Sequence, residues 1–181
     1  MLDDAKISRI LSITAHPDDV DFAAAGTVAR WTEAGIDVVY CVVTDGDAGG
    51  FDEDFPREEM PAVRRAEQVA AAKCVGVHDV RFLGYPDARN PFAFPELRQH
   101  ESLAAWTVRE VWIAGGPDPN HFVDVTETFP RKIAALRAHE SQTGHMEDLT
   151  ERIRTRLTLV AQQAGLPGGR LAEGFQVLDT G

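Results

Sequence analysis

The chain has 181 residues, with 18 Lys and Arg against 29 Asp and Glu and a formal net charge of −11. A chain of this length buries about 70% of the surface its unfolded form exposes, and 44% hydrophobic residues supply the core, so disorder is excluded. The acidity argues against nucleic acid or an anionic membrane surface as partner, since both need a basic footprint. Cys41 and Cys74 lie in apolar stretches. They are too few for a disulfide framework and read as small buried hydrophobes of a cytoplasmic protein. Residues Met1 to Arg9 hold no apolar signal segment, and no run of about 18 apolar residues occurs, so neither secretion nor membrane spanning is expected. The expectation is one domain over residues 1–181.

Ile7 to Thr14 reads as a buried parallel strand that stops at His16-Pro17-Asp18-Asp19. Val20, Ala24, Val28 and Trp31 recur at helical spacing before Gly35. Asp37 to Thr44 is a second strand, ending at the glycine-rich Asp45 to Gly50, and the three pieces make a βαβ unit. Pro61 suits the first turn of a second helix, with Ala66, Ala70 and Cys74 as its apolar stripe and Gly76 as its stop. Asp79 to Tyr85 is a third strand. Strands follow at Arg109 to Ala114 and around His121 to Val125, then a helix from Pro130 to His139. A last helix spans Asp148 to Ala164 with Leu149, Ile153 and Leu157 on one face, and a strand ends the chain near Phe175 to Leu178. The fold class is α/β: a Rossmann-like, mostly parallel sheet with helices on both faces. Between Tyr85 and Trp106, three prolines leave room for at most a short helix where a full helix and a further parallel strand belong.

The strongest chemical signal is His16-Pro17-Asp18-Asp19-Val20-Asp21 at the carboxyl end of the first strand, where open parallel sheets bind ligands. His16 and Asp19 offer a nitrogen and an oxygen donor three residues apart. Zinc accepts both, and a catalytic zinc uses three protein ligands and leaves a place for water. Asp18, between them, is free to take a proton from that water. A plainer reading is that Asp18 and Asp19 only answer the positive end of a helix, which leaves His16 unexplained.

The string Ala15-His16-Pro17-Asp18-Asp19, with Asp21 and Ala25-Gly26-Thr27, resembles the signature of the PIG-L/LmbE family of zinc-dependent N-deacetylases. Thr44 to Gly49, Arg64-Arg65-Ala66-Glu67, Leu83 to Asp87, His139-Glu140-Ser141-Gln142 and Ala172 to Phe175 are similar to later landmarks of that family. The resemblance implies a Rossmann-like fold and a zinc held by His16 and Asp19. It implies Asp18 as general base, Arg64 near the substrate, and a small-molecule amino-sugar conjugate, often built on N-acetylglucosamine, as partner. It also implies removal of an acetyl group, with cleavage of a glucosaminyl-inositol thiol conjugate as the alternative. A metal-free binding module on the same fold is the alternative of another class. The oligomeric state, a homo-oligomer included, stays open.

One landmark is absent. The family's second motif, His-Pro-Asp-His or similar, carries the third zinc ligand, and none of His16, His78, His100, His121, His139 and His145 is followed three residues on by another. The motif belongs between the third strand and Phe92, the same place where a layer is wanting. The expectation is that some tens of residues are absent near Pro86 to Arg89.

Among the remaining candidates, Arg64 and Glu67 are most simply an exposed helical pair. His139 is expected to serve the end of its helix, and His121 to sit in a surface turn. Asp45 and Asp47 should be polar neighbours of the site rather than a phosphate cradle, because two carboxylates repel a phosphate.

Overall fold

A computed structural model describes residues 7–50, 55–85 and 109–180. The first half is a βαβαβ unit: β1 (Arg9–Thr14), α1 (Asp19–Glu33), β2 (Asp37–Thr44), α2 (Met60–Cys74) and β3 (Asp79–Tyr85). The three strands lie side by side in chain order and all run parallel. Val38, Tyr40 and Val42 of β2 are fully buried while the residues between them are not. The covered side of the sheet packs Val38 and Tyr40 against Val20, Ala25, Val28 and Ala29 of α1 and Ala71 and Ala72 of α2.

Both helices share that side because two right-handed crossovers stepping in one direction deliver them there. Helices on both faces were expected. Among the described residues the other face carries Leu11, Ile13 and Leu83 exposed. The junction at Pro86 to Arg89, where a segment is expected to be absent, lies outside the described residues, as does His100.

The second half holds β4 (Glu110–Ala114), β5 (His121–Asp124), α3 (Phe129–Ala138), the short α4 (Glu140–Thr143), α5 (Leu149–Gln163) and β6 (Ala172–Asp179). Among the described residues its strands form a second sheet in the order β4-β6-β5, with β6 antiparallel to both neighbours. The parallel arrangement expected of the early strands is thus present, whereas the later ones pair antiparallel. Ala114 and His121 both stand opposite Phe175, so the chain leaves β4, crosses β6 and continues in the same direction on the other side. Gly116 makes the crossing: a Cβ there would come within 2.9 Å of Gln176 Cβ. Beside it the Asn120 amide donates to Val177 O and accepts from Val177 N, standing in for a strand residue. Val125, Phe129, Ile133, Leu136, Leu149, Ile153, Leu157 and Leu171 form the second core cluster, so the stripe read from the last helix is core.

A buried charge pair ties α1 to the second half. Lys132 Nζ lies 2.9 Å from Glu173 Oε1, each side chain 1% exposed. The ammonium also donates to Asp21 O and Phe22 O, both at 2.8 Å. Glu173 accepts from Gly26 N, Thr27 N and the Thr27 hydroxyl. Residue 26 must be small, since a Cβ would stand 2.7 Å from Val125 Cβ. Together these contacts fix the axis of α1, whose first turn carries the chemistry.

Candidate functional site

β1 ends at Thr14, and the next four residues turn the chain into α1 at the carboxyl edge of the parallel sheet. The turn depends on Asp18, at φ 94° and ψ −24° the only non-glycine residue with positive φ among the described residues. Asx side chains tolerate this left-handed geometry better than others, yet it costs about 1–3 kcal/mol and persists only where its surroundings enforce it. Asp18 O accepts from Asp21 N and Phe22 N, which starts the helix. Asp19 Oδ2 reaches back to His16 N at 2.9 Å.

The same turn brings His16 Nδ1 to 3.4 Å from Asp19 Oδ2, both side chains about 40% exposed. That is long for a hydrogen bond between these groups. It matches the edge of a zinc tetrahedron, because two donors each about 2.0–2.1 Å from one ion stand about 3.4 Å apart. The two donors therefore fit a zinc ion. No cluster of three or more His, Cys, Asp or Glu suited to a metal occurs among the described residues.

Asp18 is more buried. Its Oδ2 accepts from Arg64 Nη1 at 3.1 Å, with side chains 15% and 4% exposed. Burial pushes the Asp18 carboxyl above its ordinary value of 3.8, Arg64 and His139 pull against this, and Asp19 adds to it. Arg64 Nη2 donates to Pro17 O at 2.5 Å, so the guanidinium grips the loop itself. Arg64 and Glu67 are not an exposed pair: Arg64 is buried, and Glu67 accepts from Ser141 N and the Ser141 hydroxyl. The glycine-rich loop after β2 closes over Arg64, with Gly46 at φ 63° where a Cβ would touch Arg64 Nε at 2.8 Å. Asp45 is held bidentately by Arg65 at 2.8 and 2.6 Å.

Three residues belong to this site that were not assigned to it from the sequence: Gln68, Asp21 and His139, each 0% exposed. Gln68 Oε1 accepts from Asp18 N at 2.8 Å, and Gln68 Nε2 donates to Asp21 Oδ2 at 2.8 Å. His139 Nε2 meets the same Asp21 oxygen at 2.8 Å. His139 also ends α3, as expected, but its ring points inward to the floor of the site. His121 lies in β5 with its ring 4.6 Å from that of Trp112 rather than in a surface turn. Cys41 and Cys74 are only partly buried, not core hydrophobes.

The profile described as PIG-L, GlcNAc-PI de-N-acetylase, matches residues 11–165, from the middle of β1 to the end of α5. The chain belongs to the PIG-L family. Among its relatives, the diacetylchitobiose deacetylase of Thermococcus kodakarensis is 26% identical, covering 94% of this chain and 83% of its own. The probable N-acetyl-alpha-D-glucosaminyl L-malate deacetylase 2 of Bacillus cereus is 27% identical, covering 82% of this chain and 90% of its own. The solved N,N'-diacetylchitobiose deacetylase of Pyrococcus horikoshii has the same fold, with a TM-score of 0.84 over 97% of this chain and 85% of that one at 22% identity. The Thermococcus alignment runs over 224 residues although 94% of 181 is about 170, so about 54 of its positions have no residue in this PIG-L chain.

Proposed function

We propose that this chain is a zinc-dependent hydrolase that removes the acetyl group from an N-acetylglucosamine-type small-molecule conjugate. The observation that carries the reading is the turn after β1. On a member of this family, it presents a nitrogen and an oxygen donor at zinc spacing with a largely buried carboxylate between them. His16 and Asp19 would hold the ion, together with a third donor from outside the described residues. When bound, zinc supplies a Lewis acid for the carbonyl oxygen and lowers the pKa of water to about 7.

Asp18 acts as the base. It accepts the proton that water loses as the water oxygen adds to the amide carbonyl carbon. The carbon–nitrogen bond then breaks, a proton reaches the nitrogen, and acetate and a free amine leave. Burial raises the proton affinity of Asp18, which suits a base, and the Arg64 hydrogen bond fixes one carboxylate oxygen. Arg64 is thus proposed to serve the substrate through Asp18 and the Pro17 carbonyl it holds.

The test is acetate release from diacetylchitobiose and from N-acetylglucosaminyl conjugates by zinc-loaded protein, paired with metal analysis. Asp18→Asn, which keeps a residue suited to the left-handed turn, should lower kcat by about 10²–10⁴-fold with zinc content kept, and His16→Ala should lose the metal. Full activity in the first variant, or full metal content in the second, overturns the assignment. Release of a thiol-bearing acid in place of acetate would point to conjugate amidase chemistry.

A further inference from the structure

We propose that Gln68 is a positioning residue that holds the left-handed turn at Asp18, and through it the base and the His16–Asp19 donor pair. The proposal rests on the function proposed for that turn, but its physical content stands on geometry alone.

Gln68 is completely buried on α2, four residues after Arg64, so the two polar side chains share one helix face and meet the start of α1. A buried glutamine is costly unless both ends of its amide are used, and here both are. Its oxygen takes the Asp18 amide hydrogen, and its nitrogen gives one to Asp21 Oδ2. Reversing the amide would set an NH₂ group against the Asp18 N–H and an oxygen against a carboxylate, so the network admits one orientation. Asp21 is fixed in turn by His139 Nε2 on the same oxygen. A line of three hydrogen bonds thus runs from His139 at the end of α3 through α1 and α2 to the backbone nitrogen of Asp18, its first two links joining residues 118 and 47 apart along the chain.

What this line enforces is the strained conformation. With φ at 94°, the Asp18 amide points into the protein, while Asp19 folds back to place its carboxylate beside His16. Without a buried acceptor for that amide, an extended or helical Asp18 becomes the cheaper state, and the donors separate. An apolar side chain at position 68 would fill the same space and satisfy packing, but not this backbone.

The experiment compares wild type, Gln68→Met, and the double variant Asp21→Asn with Gln68→Glu. The double variant reverses donor and acceptor between positions 21 and 68 and keeps a carboxyl oxygen against the Asp18 amide, while the second amide hydrogen of the new side chain at position 21 is taken by His139 Nε2 in its other tautomer. Three quantities are read: hydrogen exchange of the amides of residues 15–19 in zinc-free protein, affinity for zinc alone by chelator competition, and kcat and KM separately. Gln68→Met should speed exchange in that segment about tenfold or more while the amides of Ala24 to Trp31 stay within about twofold. It should weaken zinc binding and lower kcat by about 10–100-fold with KM little changed. The double variant should return all three to within about threefold of wild type.

A Gln68→Met protein that loses only thermal stability, with loop exchange, zinc affinity and kcat at wild-type values well below its Tm, overturns the proposal. So does a double variant as impaired as the single one. If wild type itself releases no acetate, the proposed function fails, and exchange and zinc affinity still decide the role of Gln68.

Discussion

Replacing Glu173 with glutamine tests the account of how α1 is held. The change conserves shape and removes one charge from a pair in which each side chain is 1% exposed. Lys132 gives its three protons to Glu173, Asp21 O and Phe22 O, and Glu173 receives two amides and a hydroxyl from Gly26 and Thr27. In Glu173→Gln the new NH₂ must face a donor in either orientation, either the Lys132 ammonium or the Thr27 amide and hydroxyl. The ammonium keeps its charge without a counter-ion. Breaking a buried pair from one side costs about 3–5 kcal/mol, and for a chain of this size each kcal/mol moves Tm by about 2–4 °C, so a fall of about 6–20 °C is expected. Urea unfolding gives the free energy and a thermal scan the Tm. Adding Lys132→Met should cost less than the two single losses combined, because no unpaired charge then stays buried. A Glu173→Gln loss under about 1 kcal/mol, or strict additivity with Lys132→Met, would refute the reasoning.

Two further outcomes follow from the same contacts. Gly26→Ala gains about 1 kcal/mol of helix propensity but drives a Cβ to 2.7 Å from Val125 Cβ. Urea unfolding should therefore show a net loss of up to about 2 kcal/mol, relieved when Val125→Ala is made in the same chain. For Asp124, partial burial raises the carboxyl, but the Thr126 hydroxyl and amide, with Arg170 and Arg30, outweigh it and hold the group below 3.8. A lowered folded value contributes stability that is complete above the unfolded value and is lost as pH falls through the folded one. The urea midpoint of wild type should exceed that of Asp124→Asn near neutrality, and the gap should close as the pH falls below 3.8 through the lowered folded value.

The framework of the fold was legible because it is local. β2 and β3 fall at the residues where their β-branched runs start and stop, and α1 and α2 end just before Gly35 and Gly76. His16, Asp18 and Asp19 were legible as a cluster because three adjacent positions at a strand end need no tertiary information to be brought together. The face of α2 was misread. Ala66 and Ala70 suggested the buried stripe but are exposed, and the inward row is Arg64, Gln68, Ala71 and Val75. Hydrophobic periodicity fails there because two of the four inward side chains are polar and bond to the first turn of α1 and the loop before it. That polar interruption at i, i+4 in a helix of small residues was the available signal. Asp21 and His139 were hidden for a related reason, since 118 residues separate the partners and neither alone departs from an ordinary helix terminus. The antiparallel second half was hidden too, because the order β4-β6-β5 depends on a crossing at Gly116 that strand composition does not encode.

The side of the parallel sheet on which Leu11, Ile13 and Leu83 are exposed bears on how the protein behaves in bulk. Leu11 and Ile13 stand 58% and 65% exposed on β1, an edge strand among the described residues, with Leu83 on the same sheet, and the Arg9–Asp37 and Arg81–Asp79 pairs interrupt the row. Such an edge invites strand-to-strand association between molecules. The net charge of −11 opposes such association by mutual repulsion, and it vanishes toward the isoelectric point near 4.9. Acidification in low salt should therefore cloud a concentrated solution while the chains are still folded, and Ile13→Lys should move that clouding to higher protein concentration.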